Sequence, residues 1–424
     1  MSVDRYPSAP CSRFRPVFQL GVVFGVLALG FTAPPTIAGS TSPSVGVVDG
    51  SYIVTLQPGN DPQQEAPGIA AQYGGRAPYV YARALPGFSF EGSADGAARL
   101  ARDPKVRTVV QDRLVTAAAQ TVPTGVGRID GPLSGTISGD GRGAVDADIA
   151  VIDTGIDLDH PDLNVVGGVN CSTGTGYDDG NGHGTHVAGT AAAKDDGAGV
   201  VGVAPGARLW AVRVLDDTGS GSWSSVICGV DWVTAHASTI EVANLSLGGP
   251  GDTGTCTDGA LREAICKSVQ SGVTYTVAAG NSAVDVSTQV PASFPEVITV
   301  SALADFDGRP GGLGKSTCRA DQDDTIADFS NYGTGVDLMA PGVCINSTWK
   351  GGGYNTISGT SMASPHVAGA AALYLSDHPG TSPAAVLSAL KVAGNLVWRA
   401  TGDPDKTKET LLNVDRLIGA TLRA

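Results

Sequence analysis

Ile149-Ala150-Val151-Ile152-Asp153-Thr154-Gly155-Ile156-Asp157 reads as a short strand that ends on a carboxylate. Four apolar residues in a row leave no polar face, which marks a strand covered on both sides. Strands of that kind belong to parallel sheets flanked by helices. The Asp-Thr-Gly that follows puts a carboxylate at the C-terminal edge of the sheet, where open α/β sheets bind ligands.

The same alternation continues along the chain. Leu209–Val214, Val242–Leu247, Val273–Ala278 and Val297–Ala302 read as further strands. His186–Ala193, Ser224–Ala237, Ala260–Ser271 and Ser361–Ser376 read as helices. The expected fold class is α/β, in three layers with a mostly parallel central sheet.

A smaller unit precedes it. Tyr52–Leu56 alternates as a strand, and Gln63–Tyr73 suits a helix. Leu85–Phe90 turns into a strand, Ala94–Ala101 is helical in composition, and Asp103–Asp112 is a turn and a last strand. A β-α-β-β-α-β order is ferredoxin-like α+β. The linker Ala117–Thr121 is small and uncharged, which suits proteolytic cleavage.

The N-terminus reads as a signal. Arg5, Arg13 and Arg15 precede an uncharged apolar run, Val17–Phe31, and small residues end at Ala38. That pattern predicts a signal peptide cut near Ala38, and the run is short for a bilayer span. The expected domains are 1–38 (signal peptide), 45–120 (the smaller unit) and 121–424 (the α/β body), in a secreted, monomeric protein. Export also explains the cysteines. Cys11 leaves with the signal; Cys171, Cys228, Cys256, Cys266, Cys318 and Cys344 remain, an even set suited to disulfides. Proximity suggests Cys256–Cys266 and Cys318–Cys344, with Cys171 and Cys228 as candidate free thiols.

Charge narrows the partners. Residues 1–120 carry 10 Lys and Arg against 8 Asp and Glu; the rest carries 17 against 33. An acidic body argues against nucleic acid and leaves carboxylates for calcium or for a solvated surface. No later stretch is apolar enough to span a membrane.

Two more segments join Asp153. Asn181-Gly182-His183-Gly184-Thr185-His186 sets a histidine between glycines before a small-residue helix. Ser358-Gly359-Thr360-Ser361-Met362-Ala363-Ser364-Pro365-His366 places Ser361 where a loop enters a helix, in a field that favours negative charge. Asp, His and Ser in that order, in three unbroken signature segments, resemble the subtilisin-like (S8) serine peptidases, nearest the secreted proteinase K-like and subtilisin-like members. The resemblance covers nearly all of 121–424. It implies Ser361 as nucleophile, His183 as general base and Asp153 as the group that orients and balances the imidazole. It implies that Asn281, in Val277-Ala278-Ala279-Gly280-Asn281, donates to the oxyanion with the Ser361 N–H.

Further roles follow from the same resemblance. Ser246, Leu247, Gly248 and Gly249 would pair with the substrate and line its primary pocket. Ser220, Gly221 and Trp223 would form a second edge, with Trp223 either lining a distant pocket or packing at a helix start. Two carbonyls and a carboxylate, at Pro295, Val297 and Asp337, match a structural calcium site; catalysis itself would need no cofactor. Residues 50–118 resemble an I9-type inhibitory prosegment, cut by the enzyme near Gln120–Thr121. The partners implied are polypeptide substrates and the chain's own prosegment. The insertion at 308–328 could be a disulfide-tied loop, a second ion site or neither. His183-Gly-Thr-His186 lacks the spacing and the Glu of a zinc protease, which leaves His186 and His366 as packed residues. Gly359-Thr360-Ser361-Met362-Ala363 departs from the G-x-S-x-G of α/β-hydrolases.

Overall fold

The computed structural model describes residues 47–113, 120–251 and 253–417. The expected signal peptide and residues 117–119 of the linker lie outside the described residues. The chain forms two compact units that divide between Val115 and Thr116.

The first unit runs β1 (Val47–Leu56), α1 (Pro62–Gln72), β2 (Val80–Tyr81), β3 (Gly87–Glu91), α2 (Ala94–Leu100) and β4 (Val106–Arg113). Its strands form one antiparallel sheet in the order β2-β3-β1-β4. Val54, Leu56, Phe88 and Phe90 from the strands pack on Ala66, Ile69 and Leu100 from the helices. The helices start where capping residues allow: Asp61 accepts from Gln63 N, and Ser93 from Gly96 N. β2 has only two residues, too few for apolar alternation to mark it.

The second unit begins with α3 (Thr124–Arg128), β5 (Asp148–Asp153), β6 (Val165–Asn170), α4 (His183–Ala192), β7 (Arg208–Arg213) and α5 (Trp223–Ala235). It continues through β8 (Val242–Leu245), β9 (Gly249–Pro250), α6 (Ala260–Gln270), β10 (Thr274–Ala278) and β11 (Gln289–Val290). Then come β12 (Ile298–Ala304), β13 (Thr325–Ile326), β14 (Leu338–Pro341), β15 (Ile345–Trp349) and β16 (Gly353–Ile357). It closes with α7 (Thr360–Asp377), α8 (Pro383–Ala393) and β17 (Thr410–Leu411). The central sheet runs β17-β14-β12-β10-β8-β5-β7-β6, parallel throughout, with β13 antiparallel on β12.

β5 shows why three layers form. Ile149 and Val151 face one apolar cluster with Val187 of α4, Val367 of α7 and Leu390 of α8. Ala150 and Ile152 face another with Val230 of α5 and Ile265 of α6. Alternate side chains point to opposite faces, so a strand apolar at every position must be covered twice.

One expectation needs correction. Cys171 and Cys228 are not free: they form a disulfide, alongside Cys256–Cys266 and Cys318–Cys344. Cys171 follows β6 and Cys228 lies in α5, elements that meet beside the sheet although 57 residues apart. The acidic run in the 308–328 insertion is turned inward. Asp321, Asp323 and Asp324 are buried. Asp323 accepts from Phe306 N and Gly314 N, and Asp324 from Gly312 N and Arg128 Nε, so these carboxylates fold the loop around themselves.

Candidate active site

β5 ends on Asp153, which is 0% exposed. Its Oδ1 accepts from Thr154 N at 2.7 Å and from His183 Nδ1 at 2.7 Å. His183 is the first residue of α4, three residues earlier than the helix start read from the sequence. The flanking glycines make the approach possible. Gly182 has φ +112, and a Cβ on Gly184 would stand 2.1 Å from Gly155 O and 3.1 Å from Asp153 Cβ. Burial opposes the imidazolium, but the Asp153 charge and hydrogen bond outweigh it, with help from Asp179, and hold His183 above the ordinary histidine value.

Asp179 is a residue that sequence reasoning missed. It is buried, and its Oδ1 accepts from Thr154 Oγ1, Asn181 N and Gly182 N. Its Oδ2 accepts from Thr185 N and Thr185 Oγ1. One carboxylate thus ties the end of β5 to the first turn of α4, where the helix end favours negative charge. The Asp-x-Asn-Gly-His spacing was the available signal.

Ser361 is the second residue of α7. Its Oγ donates to Ser246 O at 3.2 Å, long for a hydroxyl donor, and it is not hydrogen-bonded to His183 here. Its backbone is held firmly. Ser246 Oγ donates to Ser361 O at 2.8 Å and accepts from Asn244 Nδ2 at 2.9 Å. Ser364 Oγ and Thr276 Oγ1 both donate to Asn244 Oδ1.

Asn281 follows β10. Its Oδ1 accepts from Thr360 N at 2.8 Å and Thr360 Oγ1 at 2.9 Å, which leaves Nδ2 as the outward end of the amide. A Cβ built on Gly359 would lie 3.5 Å from Asn281 Nδ2 and 3.6 Å from Ser361 N. Both nitrogens thus border the space that a side chain at position 359 would fill. Thr360, a second residue missed from sequence, fixes which end of the amide faces that space.

A cleft of about 700 Å³ adjoins His183, and a pocket of about 350 Å³ adjoins Ser361 and Asn281. Leu247, Gly248 and Gly249 line both, and Ser246 lines the first. Gly221 and Trp223 form the far wall of the cleft, and Trp223 also packs against the α5–α6 apolar cluster. Ser220 is tied to Asp216 in a turn and lines neither. His186 Nε2 bonds Ile345 O and His366 Nδ1 bonds Met362 O. Burial lowers their pKa values to about 3 and about 4, as befits neutral packed rings.

At Asp337, one of the expected calcium ligands, Oδ1 pairs with Lys391 Nζ at 2.7 Å and Oδ2 accepts from Thr299 N. Asp305, Asp307 and Asp323 bring oxygens within 4.8 Å of one another and could hold a metal ion. Arg128 already supplies a cation there, 3.1 Å from Asp305. Gln120 Oε1 and Asp162 Oδ1 are buried and without hydrogen-bond partners. Both residues bond the 194–200 loop, through Lys194 O and Val200 N respectively.

Known proteins resemble this chain over most of its length. The Subtilase family model matches residues 146–420. Subtilisin NAT of Bacillus subtilis subsp. natto is 44% identical over 297 residues, 69% of this chain and 71% of that protein. An alkaline protease of Shouchella clausii is 41% identical over 308 residues, 72% of this chain and 73% of that protein. The crystal structure of a cold-adapted subtilisin-like serine proteinase matches with a TM-score of 0.53 and 38% identity, over 63% of this chain and 88% of that one. A match of this extent, over the same sheet that carries the Asp-His pair, makes the chain a member of the subtilase family of serine endopeptidases.

Proposed function

We propose that the chain is a secreted proenzyme that hydrolyses peptide bonds through Asp153, His183 and Ser361. The observation that carries this reading is the part-buried Asp153–His183 bond, in a cleft that shares the Leu247–Gly249 wall with the pocket of Asn281 and Ser361. A small rotation frees the Ser361 hydroxyl from Ser246 O to donate to His183 Nε2. As Oγ attacks the scissile carbonyl carbon, its proton passes to Nε2. The carbonyl oxygen becomes an oxyanion and takes hydrogen bonds from Asn281 Nδ2 and Ser361 N. Asp153 balances the imidazolium, which then protonates the leaving amine. Water, activated by the same imidazole, releases the acyl group.

The substrate backbone would lie along Leu247–Gly249. The pocket walled by Ala278, Ala279, Val290 and Ala292 suits an apolar side chain next to the scissile bond. Residues 45–120 would be the inhibitory prosegment. We infer a cut near Gln120–Thr121, where Gln120 N and Thr121 N bond Gly197 O and Gly199 O. Among the described residues no helix is long and apolar enough to cross a membrane.

Intact mass of the secreted chain beside Ser361→Ala tests the proposal. Loss of about 120 N-terminal residues from the parent alone is expected. Equal processing of both, with no labelling of Ser361 by a serine-directed phosphonylating reagent, would overturn it.

A further inference from the structure

Ser358 is a half-buried hydroxyl three residues before Ser361, and peptide hydrolysis as described gives it no part. The β15–β16 ladder ends at the Ile345–Ile357 pair. Beyond that pair the two chains meet differently. Cys344 N donates to Ser358 Oγ at 2.9 Å. Cys344 has φ +54, in the left-handed region that non-glycine residues seldom adopt unless their surroundings impose it. Its surroundings include the bridge to Cys318, an exposed residue of the 308–328 insertion. Cys318 N donates to Cys344 Sγ at 3.2 Å, and the Ser358 hydroxyl lies 3.7 Å from Cys318 Sγ. A disulfide sulfur carries no hydrogen, so in that contact the hydroxyl is the donor. Ser358 Oγ thus accepts from one end of the bridge and donates to the other.

The segment that follows is fixed residue by residue. Gly359 N donates to Gly342 O at 2.8 Å, and a Cβ on Gly342 would stand 2.8 Å from Gly359 O. Thr360 N donates to Asn281 Oδ1, and Ser361 O accepts from Ser246 Oγ. The insertion has its own fastenings as well. Asp323 and Asp324 gather its backbone N–H groups, and Arg319 pairs with Asp321 and Asp328. The bridge adds a contact outside the insertion, at Ser358.

We propose that Ser358 is a positioning residue: backed by the Cys318–Cys344 bridge, it sets the path of Gly359 and so aligns the Ser361 hydroxyl and N–H with His183 and Asn281. The inference rests on the reading of Ser361 as nucleophile. Ser358 lines neither the cleft beside His183 nor the pocket beside Ser361, so its effect falls on rate and not on substrate binding.

Steady-state kinetics on a peptide substrate, with the secreted and processed chain, tests this. Ser358→Ala should lower kcat roughly tenfold, about the worth of one hydrogen bond, and leave KM unchanged. Ser358→Thr keeps the hydroxyl and should restore most of kcat. Cys318→Ala with Cys344→Ala should match the Ser358→Ala loss. Combining all three should lose little more, because the bridge and the hydroxyl act through one contact. Near-ultraviolet circular dichroism checks each fold. If the chain without the bridge does not fold, the two Ser358 variants, which keep it, decide the matter. Full kcat in Ser358→Ala, a loss carried by KM, a Ser358→Thr chain no faster than Ser358→Ala, or losses that multiply in the triple variant would each overturn the proposal. Labelling of Ser361 in the parent by a phosphonylating reagent keeps this separate from the peptidase reading. A labelled, active parent beside an unaffected Ser358→Ala chain removes the positioning role alone; an unlabelled, inactive parent removes both.

Discussion

At the scale of single residues, the pH dependence rests on His183. On the proposed mechanism the neutral imidazole is the active form, so kcat/KM should fall as pH drops through the His183 pKa. Asp153 holds that pKa above the ordinary value, so the acid limb should begin at higher pH than for a free histidine. Asp153→Asn removes the charge: the limb should move to lower pH and kcat should fall by about 10⁴. A pH–rate profile on a peptide substrate checks both, and an unmoved limb would exclude Asp153 as the cause. Asn281→Leu should lower kcat by about 10²–10³ with KM little changed, the loss known for such a donor in subtilisin itself. Thr360→Val removes one of two bonds that orient the amide and should cost about tenfold in kcat, roughly the worth of one hydrogen bond. Steady-state kinetics separates these from a binding defect. The proposed site residues Asp153, His183, Ser361 and Asn281 could be picked out from the sequence because each sits in an unbroken local motif. Asp179 and Thr360 could not, since they act on Thr154 and Asn281, 25 and 79 residues away.

At the scale of elements, strands and helices were legible where apolar runs are long. β5, β8, β10 and β12 each appeared within a few residues of their ends. β6 and the β15–β16 hairpin did not, because β6 contains two glycines and β16 alternates partly exposed positions. The helix start at His183 was missed because its cap is supplied by Asp179, not by a residue at the boundary. Disulfide pairing shows the same limit. Cys256–Cys266 spans ten residues and could be guessed; Cys171–Cys228 needs β6 and α5 to be neighbours. Replacing both Cys171 and Cys228 by Ala should lower stability by about 4 kcal/mol, the entropy of closing a loop of that length. Denaturant unfolding of the inactive chain measures it, and a change under 1 kcal/mol would mean the bridge constrains little.

At the scale of the whole molecule, one buried cation joins distant parts of the catalytic unit. Arg128 of α3 pairs with Asp305 after β12 and Asp324 before β13, and its Nη2 donates to Val397 O. Arg128→Met leaves two buried carboxylates uncompensated and should cost about 3–5 kcal/mol. Thermal and denaturant unfolding would register it, and a near-neutral result would mean those carboxylates are protonated or hold a metal. By itself the sequence determined the layered parallel sheet, the order of the reactive side chains and the acidic balance of the body. Periodicity and local motifs are short-range properties, and these features depend on little else. The orientation of the Asn281 amide, the third disulfide, the burial of Asp321, Asp323 and Asp324 and the contact of Cys318 with Ser358 were decided by the tertiary structure alone. Each depends on which groups meet across tens or hundreds of residues, and only the packed sheet and its helices bring those groups together.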